Sequence, residues 1–181
     1  MIVDCHGHYT TTPPPVEAYR NAQKEILKSN PGHIFEKGSI NVSDDEIRDS
    51  IVNNQLKVQQ ERGTDVTIFS PRASWMGHHV GNASTSQAWT KQQNDLIRRV
   101  CDLFPKNFVP ACQLPQSPGA GIDSSIAELE RCVTEMGFVG CNLNPDPSGG
   151  YWKDPRLGDK FWYPLYEKMV EFDVPAMIHV S

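Results

Sequence analysis

Short apolar runs alternate with longer helical patterns along the whole chain. Apolar and β-branched runs that are typical of buried strands occupy residues 2–5, 66–70, 108–112, 138–143 and 174–181. The stretches between them predict helices over residues 16–29, 43–62, 86–104, 123–136 and 160–172. Strands that alternate with helices form parallel sheets joined by right-handed crossovers, so the pattern predicts an α/β protein.

Local motifs define where several of these elements begin and end. Ser43 followed by Glu46 is a capping box, which marks the start of a helix. Gly63 and Gly137 come directly after helical patterns and predict helix C-termini. Three consecutive prolines at residues 13–15 predict a loop before the first helix, because proline has no backbone N–H.

Polar side chains follow nearly every predicted strand. In chain order they are His6 and His8, Ser70 and Arg72, Gln113 and Gln116, Asn142 and Asn144, and His179. The carboxyl ends of the strands are where a (β/α)8 barrel places its active site. An open doubly wound sheet also fits the alternation, but no glycine-rich phosphate-binding motif follows any strand, so a nucleotide site has no support.

The number of strands is the difficulty for a closed barrel. Such a barrel has eight strands and typically about 250 residues, whereas this chain of 181 residues supplies five predicted strands. We therefore predict that residues 1–181 form a single domain, the N-terminal five strands of a (β/α)8 TIM-type barrel whose remainder is absent from this chain. The alternative is an intact five-stranded domain, which would leave an exposed edge strand prone to aggregation.

Three histidines at strand ends predict a metal site. His6 and His8 are separated by Gly7 alone, so on a strand both side chains would leave the same face. His179 lies near the end of the fifth predicted strand, which would reach the same mouth of a barrel. Three neutral imidazoles suit zinc best, with manganese or iron as alternatives. The simpler interpretation is that these histidines only make hydrogen bonds at turns.

Composition excludes several classes of protein. The net charge is −5 with scattered basic residues, which argues against a nucleic-acid surface. No apolar run approaches the length of about 18 residues that a membrane span needs, and no leader pattern precedes the first strand. The five cysteines contain no Cys-x-x-Cys spacing, so neither a disulfide framework nor a cysteine zinc site is expected. We expect a cytoplasmic protein.

Five blocks of sequence resemble one known family. They are IVDCHGHY at 2–9, TIFSPRAS at 67–74, LPQSP at 114–118, GCNLNPDP at 140–147 and VPAMIHVS at 174–181. They resemble the amidohydrolase superfamily, whose members fold as metal-dependent barrels. Many members carry a metal-bridging lysine or glutamate on the fourth strand; here Asn142 and Asn144 stand there instead, which is similar to the one-metal branch related to aminocarboxymuconate semialdehyde decarboxylase.

The resemblance implies a zinc hydratase. Within that branch the blocks are similar to enzymes that add water to the double bond of an unsaturated keto-tricarboxylate in bacterial breakdown of protocatechuate or gallate. A decarboxylase of a related acid, a hydrolase of the superfamily, and a protein without catalytic activity are the alternatives. The implied partners are a small anionic substrate and further copies of the same chain.

Roles follow for the remaining candidate residues. Arg72 is the candidate clamp for a substrate carboxylate, because its planar guanidinium can bind a carboxylate through two hydrogen bonds. Asn142 and Asn144 are candidate substrate donors, with the support of turn backbone as their simpler role. His79 is a candidate proton shuttle. The general acid or base is expected beyond residue 181.

Overall fold

The computed structural model describes residues 1–180 of the chain. Its strands are β1 (Val3–Tyr9), β2 (Val66–Pro71), β3 (Phe108–Pro110), β4 (Cys112–Gln113), β5 (Cys141–Leu143) and β6 (Ala176–Ile178). Its helices are α1 (Pro14–Ser29), α2 (Asp44–Ile51), α3 (Lys57–Glu61), α4 (Ala83–Leu103), α5 (Asp123–Met136) and α6 (Tyr163–Glu171). A π-helical segment, Val52–Leu56, joins α2 to α3. The predicted α/β class is confirmed.

The strands are parallel and follow one another in space in the order of the sequence. They form two sheets of three strands, ordered β1-β2-β3 and β4-β5-β6. A doubly wound sheet reverses its strand order at a switch point, whereas a barrel proceeds around its axis without reversal. The observed order is therefore that of a barrel.

The predicted third strand is divided into β3 and β4 at Ala111. Its N–H donates to the carbonyl of Phe69 on β2 at 2.9 Å, while the next residue, Cys112, donates to the carbonyl of Gly140 before β5 at 3.0 Å. The chain thus changes its pairing partner at this residue. The predicted strands at 138–143 and 174–181 are also shorter than expected, and Ser181 lies outside the described residues.

Helix boundaries agree with the local motifs except at the prolines. Ser43 and Glu46 form the predicted capping box, and Gly137 ends α5 in the left-handed conformation. The loop prediction at residues 13–15 was wrong for Pro14 and Pro15, which are the first two residues of α1. These positions have no intrahelical partner for an N–H, so proline costs nothing there.

The helices pack against the strands and bury the core between them. Helix α4 contacts β2, β3 and β4, and it also packs against α2 and α5. Trp89, Ile97 and Val100 of α4 are fully buried, as are Phe69 and Phe108 on the strands beneath. The core fixes the strand ends that carry the polar side chains.

All five cysteines are free thiols, and four are buried. None of the helices within residues 1–180 is both long enough and apolar enough to cross a bilayer.

Candidate metal centre

The structure brings together the three histidines predicted as metal ligands. Nε2 of His8 lies 2.9 Å from Nε2 of His6 and 3.0 Å from Nε2 of His179. All three ligand atoms lie within 4.8 Å of one another. Ring planes cross at 81–86°, so each ring presents an edge toward the same point. Three nitrogens that converge in this way could hold one metal ion.

The strands place these histidines through their backbone pairing. His6 and His8 lie in the last part of β1, and His8 is in register with Ser70 of β2. His179 follows β6 directly, and its N–H donates to the carbonyl of Leu143 at the end of β5. The three side chains therefore meet from the carboxyl ends of β1 and β6, as the barrel interpretation predicted.

A register shift in β1 adjusts this arrangement. Asp4 pairs with Thr67 of β2, and the next residue of β1 that pairs is Gly7, with Phe69. Three steps along β1 therefore correspond to two steps along β2. Cys5 and His6 consequently both line the cavity inside the curve of the strands, whereas Asp4 and Gly7, together with His8, line a cavity between β1 and the helical segments at residues 53–62. Such a bulge redirects a side chain at the end of a strand, and here it turns His6 inward.

The opposite nitrogen of His8 is fixed by hydrogen bonds. Nδ1 lies 2.8 Å from Oγ of Ser70 and 3.0 Å from the carbonyl oxygen of Pro71. The Ser70 hydroxyl donates to the carbonyl of Gly7 and accepts from Nδ2 of Asn142 at 3.0 Å. A carbonyl can only accept, so this network assigns the proton to Nδ1 and leaves the Nε2 lone pair facing the other histidines. Metal-binding histidines are oriented in this way.

The protonation state of His8 suits metal binding. Burial, followed by the proximity of His179 and His6, lowers the pKa of His8 to about 4. The ring is then neutral near pH 7, as a ligand must be. Two nitrogens each about 2.0–2.1 Å from one ion are about 2.8–3.4 Å apart for bond angles between a right angle and the tetrahedral value. The observed separations of 2.9 and 3.0 Å fall within that interval.

Arg72 lies directly after β2 at the same mouth. Its guanidinium stacks over the ring of Trp75 at 4.8 Å, and Nε donates to Oγ of Ser74 at 3.0 Å. Among the described residues, its two Nη groups have no hydrogen-bond partner. The side chain is thus held in place at Nε while its terminal donors stay available for a carboxylate.

The two asparagines differ in their surroundings. Asn142 is buried, lines the inner cavity of about 370 Å³ together with His6, and donates to Ser70. Asn144 is buried in the loop after β5, where its backbone pairs with the side chain of Gln116 and its Oδ1 accepts from the N–H of Asp146. Asn142 thus contacts the residue that orients His8, and Asn144 supports a turn.

His79 lies apart from the three histidines. It is exposed and lines a different cavity beside α1, where its ring packs on Gly149. The neighbouring His78 is buried instead, with Nδ1 near Oγ of Ser86 at 2.9 Å and accepting from the N–H of Gln116. Ser70 was not assigned a role from the sequence, because its place opposite His8 depends on the register between β1 and β2.

Comparisons with known proteins find a matching family and similar proteins. A family model described as Amidohydrolase matches residues 3–181. A 2-keto-4-carboxy-3-hexenedioate hydratase from Sphingobium sp. (strain NBRC 103272 / SYK-6) is 58% identical over 182 residues, covering 100% of this chain and 52% of that protein. The crystal structure of 4-oxalomesaconate hydratase from Rhodopseudomonas palustris matches with a TM-score of 0.89 and 52% identity, covering 100% of this chain and 53% of that one.

A more distant structure shares the fold. The crystal structure of a dihydroxybenzoic acid decarboxylase from Polaromonas sp. JS666, with bound manganese, matches at a TM-score of 0.68 and 19% identity, covering 99% of this chain and 49% of that one. The chain spans about half the length of the relatives it matches. The strand order, the placement of the polar residues and the family match together show that the chain belongs to the amidohydrolase family and has the fold of part of its barrel.

Proposed function

We propose that the protein is a metal-dependent hydratase that adds water to the double bond of 4-oxalomesaconate, an unsaturated keto-tricarboxylate. One observation carries the proposal. The chain is 58% identical to the hydratase from Sphingobium and 52% identical to that from Rhodopseudomonas palustris, and both matches cover the whole chain, including the stretches that hold the three histidines. The likeness to the decarboxylase from Polaromonas, at 19% identity, supports the fold alone.

In this proposal His6, His8 and His179 hold one divalent ion. Such an ion lowers the pKa of bound water and polarises carbonyl or carboxylate oxygens, both of which suit addition of water to an alkene conjugated to carbonyl groups. The three nitrogens supply no negative charge, so a bound divalent ion would keep its full charge toward an anionic substrate. We propose zinc as the natural metal, since neutral imidazoles suit it well.

Arg72 binds one substrate carboxylate. Its stacking on Trp75 and its bond to Ser74 fix the side chain before substrate arrives, so little entropy is lost on binding. Asn142 lines the cavity beside His6 and acts on His8 through Ser70; its Oδ1 and the second N–H of its Nδ2 are left for substrate. We assign Asn144 a smaller part, because its side chain serves the turn.

The remaining roles complete the proposal. Hydration needs a group that moves a proton to the second alkene carbon, and we place this general acid or base in the part of the barrel that corresponds to the other half of the relatives. The cytoplasmic location and the homo-oligomeric state predicted from the sequence belong to the proposal as well.

Product analysis tests the reaction. The protein, in full length and loaded with zinc, is incubated with 4-oxalomesaconate, and the product is weighed by mass spectrometry. A gain of one water supports the hydratase. Loss of carbon dioxide would show that the protein is a decarboxylase. An unchanged substrate would show that 4-oxalomesaconate is not its substrate. The double variant His6→Ala/His8→Ala is the matched control and should give no product.

Metal content tests the centre separately. Elemental analysis of the purified protein should find close to one equivalent of divalent metal, and the His6→Ala/His8→Ala variant should lose it. Reconstitution of the metal-free protein with zinc and with manganese, followed by the same product assay, decides between the two ions. Absence of bound metal in the unmodified protein after reconstitution would contradict the proposal.

A further inference from the structure

We propose that a cavity beside α1, separate from the three histidines, binds a small multivalent oxyanion. The cavity has a volume of about 260 Å³ and contains none of the three metal-site histidines in its lining. Its lining includes Glu17, Arg20, Lys24, Ser74, Trp75 and His79. This volume lies just below the range of about 300–1,000 Å³ typical of small-molecule sites, so the ligand is small.

Arg20 is the residue that requires an explanation. Its side chain is 4% exposed, yet every group it contacts is neutral. Nη1 donates to Oε1 of Gln23, Nη2 donates to the carbonyls of Met76 and Gly77, and the guanidinium lies 5.0 Å from the ring centre of Trp89. A buried charge normally has an ionic partner, because burial removes its hydration.

One donor of the guanidinium is also unpaired. Nε is buried away from solvent and has no hydrogen-bond partner. Within residues 1–180, no carboxylate forms an ion pair with Arg20. Burial lowers the pKa of Arg20 to about 10, so the group stays charged near pH 7. A positive charge therefore lies at the cavity wall with no counter-charge from the described part of the protein.

Other lining residues add hydrogen-bond donors. Lys24 stands four residues after Arg20 on α1, hence on the same side of the helix, and has no ion-pair partner among residues 1–180. Ser74 accepts from Nε of Arg72, which leaves its own O–H free to donate. Glu17 is the single acidic residue of the lining, so two permanent positive charges face one negative charge.

His79 supplies the opposite wall. A Cβ at Gly149 would lie 2.7 Å from Nδ1 of His79, so the glycine makes room for the ring beside the loop that follows β5. The imidazole can donate to an anion from this position. The site thus joins α1 and the loop after β2, and the loop after β5 packs against the His79 ring.

Carboxylate and phosphate ligands share the chemistry that this cavity recognises. Both present several oxygen acceptors and negative charge to Arg20, Lys24 and Ser74. The cavity also adjoins the proposed substrate clamp, because Arg72 stacks on Trp75 and bonds to Ser74, two residues of the lining. A bound oxyanion would therefore contact the residues that position Arg72.

Calorimetric titration with succinate and with inorganic phosphate tests the site. The titrations use the His6→Ala/His8→Ala variant, so that binding at the metal centre does not contribute and the result is independent of the proposed hydratase activity. We expect one of the two probes to bind. Tighter binding of succinate assigns the site to carboxylates, and tighter binding of phosphate assigns it to phosphates.

Substitutions in the same background locate the bound probe. Lys24→Ala and His79→Ala, from two walls of the cavity, should each weaken binding by about tenfold, the loss expected for one charge-assisted hydrogen bond. Lys28→Ala is the matched control on α1, since that ammonium pairs with Glu25 outside the cavity, and it should leave affinity unchanged. No binding of either probe, or equal affinity of the Lys24→Ala, His79→Ala and Lys28→Ala proteins, would overturn the proposal.

Discussion

The hydroxyl oxygen of Ser70 lies 2.8 Å from Nδ1 of His8, and the two residues are paired in register across β1 and β2. The same oxygen accepts a hydrogen bond from Asn142 on β5. Side chains from the ends of three strands thus form one hydrogen-bond network that orients one imidazole. This relationship fixes which nitrogen of His8 carries the proton and where its lone pair points, which a metal ligand requires.

Replacement of Ser70 should weaken metal binding without removing a ligand. In the Ser70→Ala variant, Nδ1 of His8 keeps one hydrogen-bond acceptor, the carbonyl of Pro71. The orientation of the His8 ring is then held less firmly. Loss of such a supporting bond typically costs about 10- to 100-fold in metal affinity, and we expect at least about tenfold. Competition against a chromogenic zinc chelator measures the change. Ser29→Ala, at the exposed end of α1, is the control and should bind zinc like the unmodified protein.

Asn142 should affect zinc affinity through Ser70, and the same chelator competition measures the effect. Asn142→Ala removes the donor to the Ser70 oxygen and should lower zinc affinity less than Ser70→Ala does. The double variant should be no weaker than Ser70→Ala alone, because residues in one hydrogen-bond network are not additive. Additive losses would mean that Asn142 affects the metal by a separate route.

Gly7 should be irreplaceable for a reason that lies on β2. A Cβ at Gly7 would come within 2.2 Å of Cγ2 of Thr67 and 3.2 Å of the ring of Phe69. Gly7→Ala should therefore push β1 away from β2, destabilise the fold by about 1–3 kcal/mol and lower zinc affinity by displacing His6 and His8. Chemical denaturation and the chelator competition measure the two effects.

A second substitution should restore part of this loss. Thr67→Ser removes the clashing Cγ2 but keeps the hydroxyl that accepts from Gln59. The Gly7→Ala/Thr67→Ser protein should be more stable than Gly7→Ala alone. Gly121→Ala is the control, since its Cβ would meet no atom within 4 Å. A double variant as unstable as Gly7→Ala would show that contact with Thr67 is not the cause.

The convergence of the three histidines could be predicted from sequence because their placement depends on local rules. Alternation along a strand puts His6 and His8 together, and the shared mouth of parallel strands brings His179 to them. The bulge in β1 was not foreseen, because it depends on the pairing with β2 rather than on the residues of β1. The pairing of His8 with Ser70 was missed for the same reason, as register between strands is a tertiary property.

Residues in loops were harder to assign. His78 and His79 are neighbours in a loop, yet their environments differ. His78 is buried and its ring contacts Ser86 and Gln116. His79 is exposed and its ring packs against Gly149. No periodicity distinguishes them, since a loop has no regular repeat. The expectation that proline must lie outside a helix failed for a different reason, because the first turn of a helix needs no N–H.

Arg72 should determine substrate affinity if the proposed clamp is right. Arg72→Ala should raise KM for 4-oxalomesaconate by about 10- to 100-fold, the loss expected for a bidentate contact with a carboxylate. Arg72→Lys should restore only part of the affinity, because an ammonium cannot reproduce the planar pair of donors. Steady-state kinetics measures both. Arg48→Ala, exposed on α2, is the control. A normal KM in Arg72→Ala would remove Arg72 from substrate binding.

His78 should make the stability of the metal-free protein depend on pH. Burial lowers its pKa to about 3, with the charge of Arg20 a further cause, and its Nε2 has no hydrogen-bond partner. An unfolded histidine has a pKa of about 6.5, so between about 6.5 and about 3 the unfolded chain binds a proton that the folded chain does not. The free energy of unfolding should therefore fall as the pH decreases below about 6.5, by up to about 1.4 kcal/mol per pH unit.

The variant His78→Asn isolates this contribution. The asparagine side-chain oxygen can replace Nδ1 as an acceptor for Gln116 but does not titrate, so the variant should lose less stability between pH 7 and pH 5, by up to about 2 kcal/mol. His8, whose pKa is also lowered, adds a similar fall to both proteins and cancels in the difference. Chemical denaturation across this pH interval measures it. His33→Asn retains His78 and should keep the full pH dependence, whereas an equally steep fall in His78→Asn would show that His78 becomes protonated without unfolding the chain.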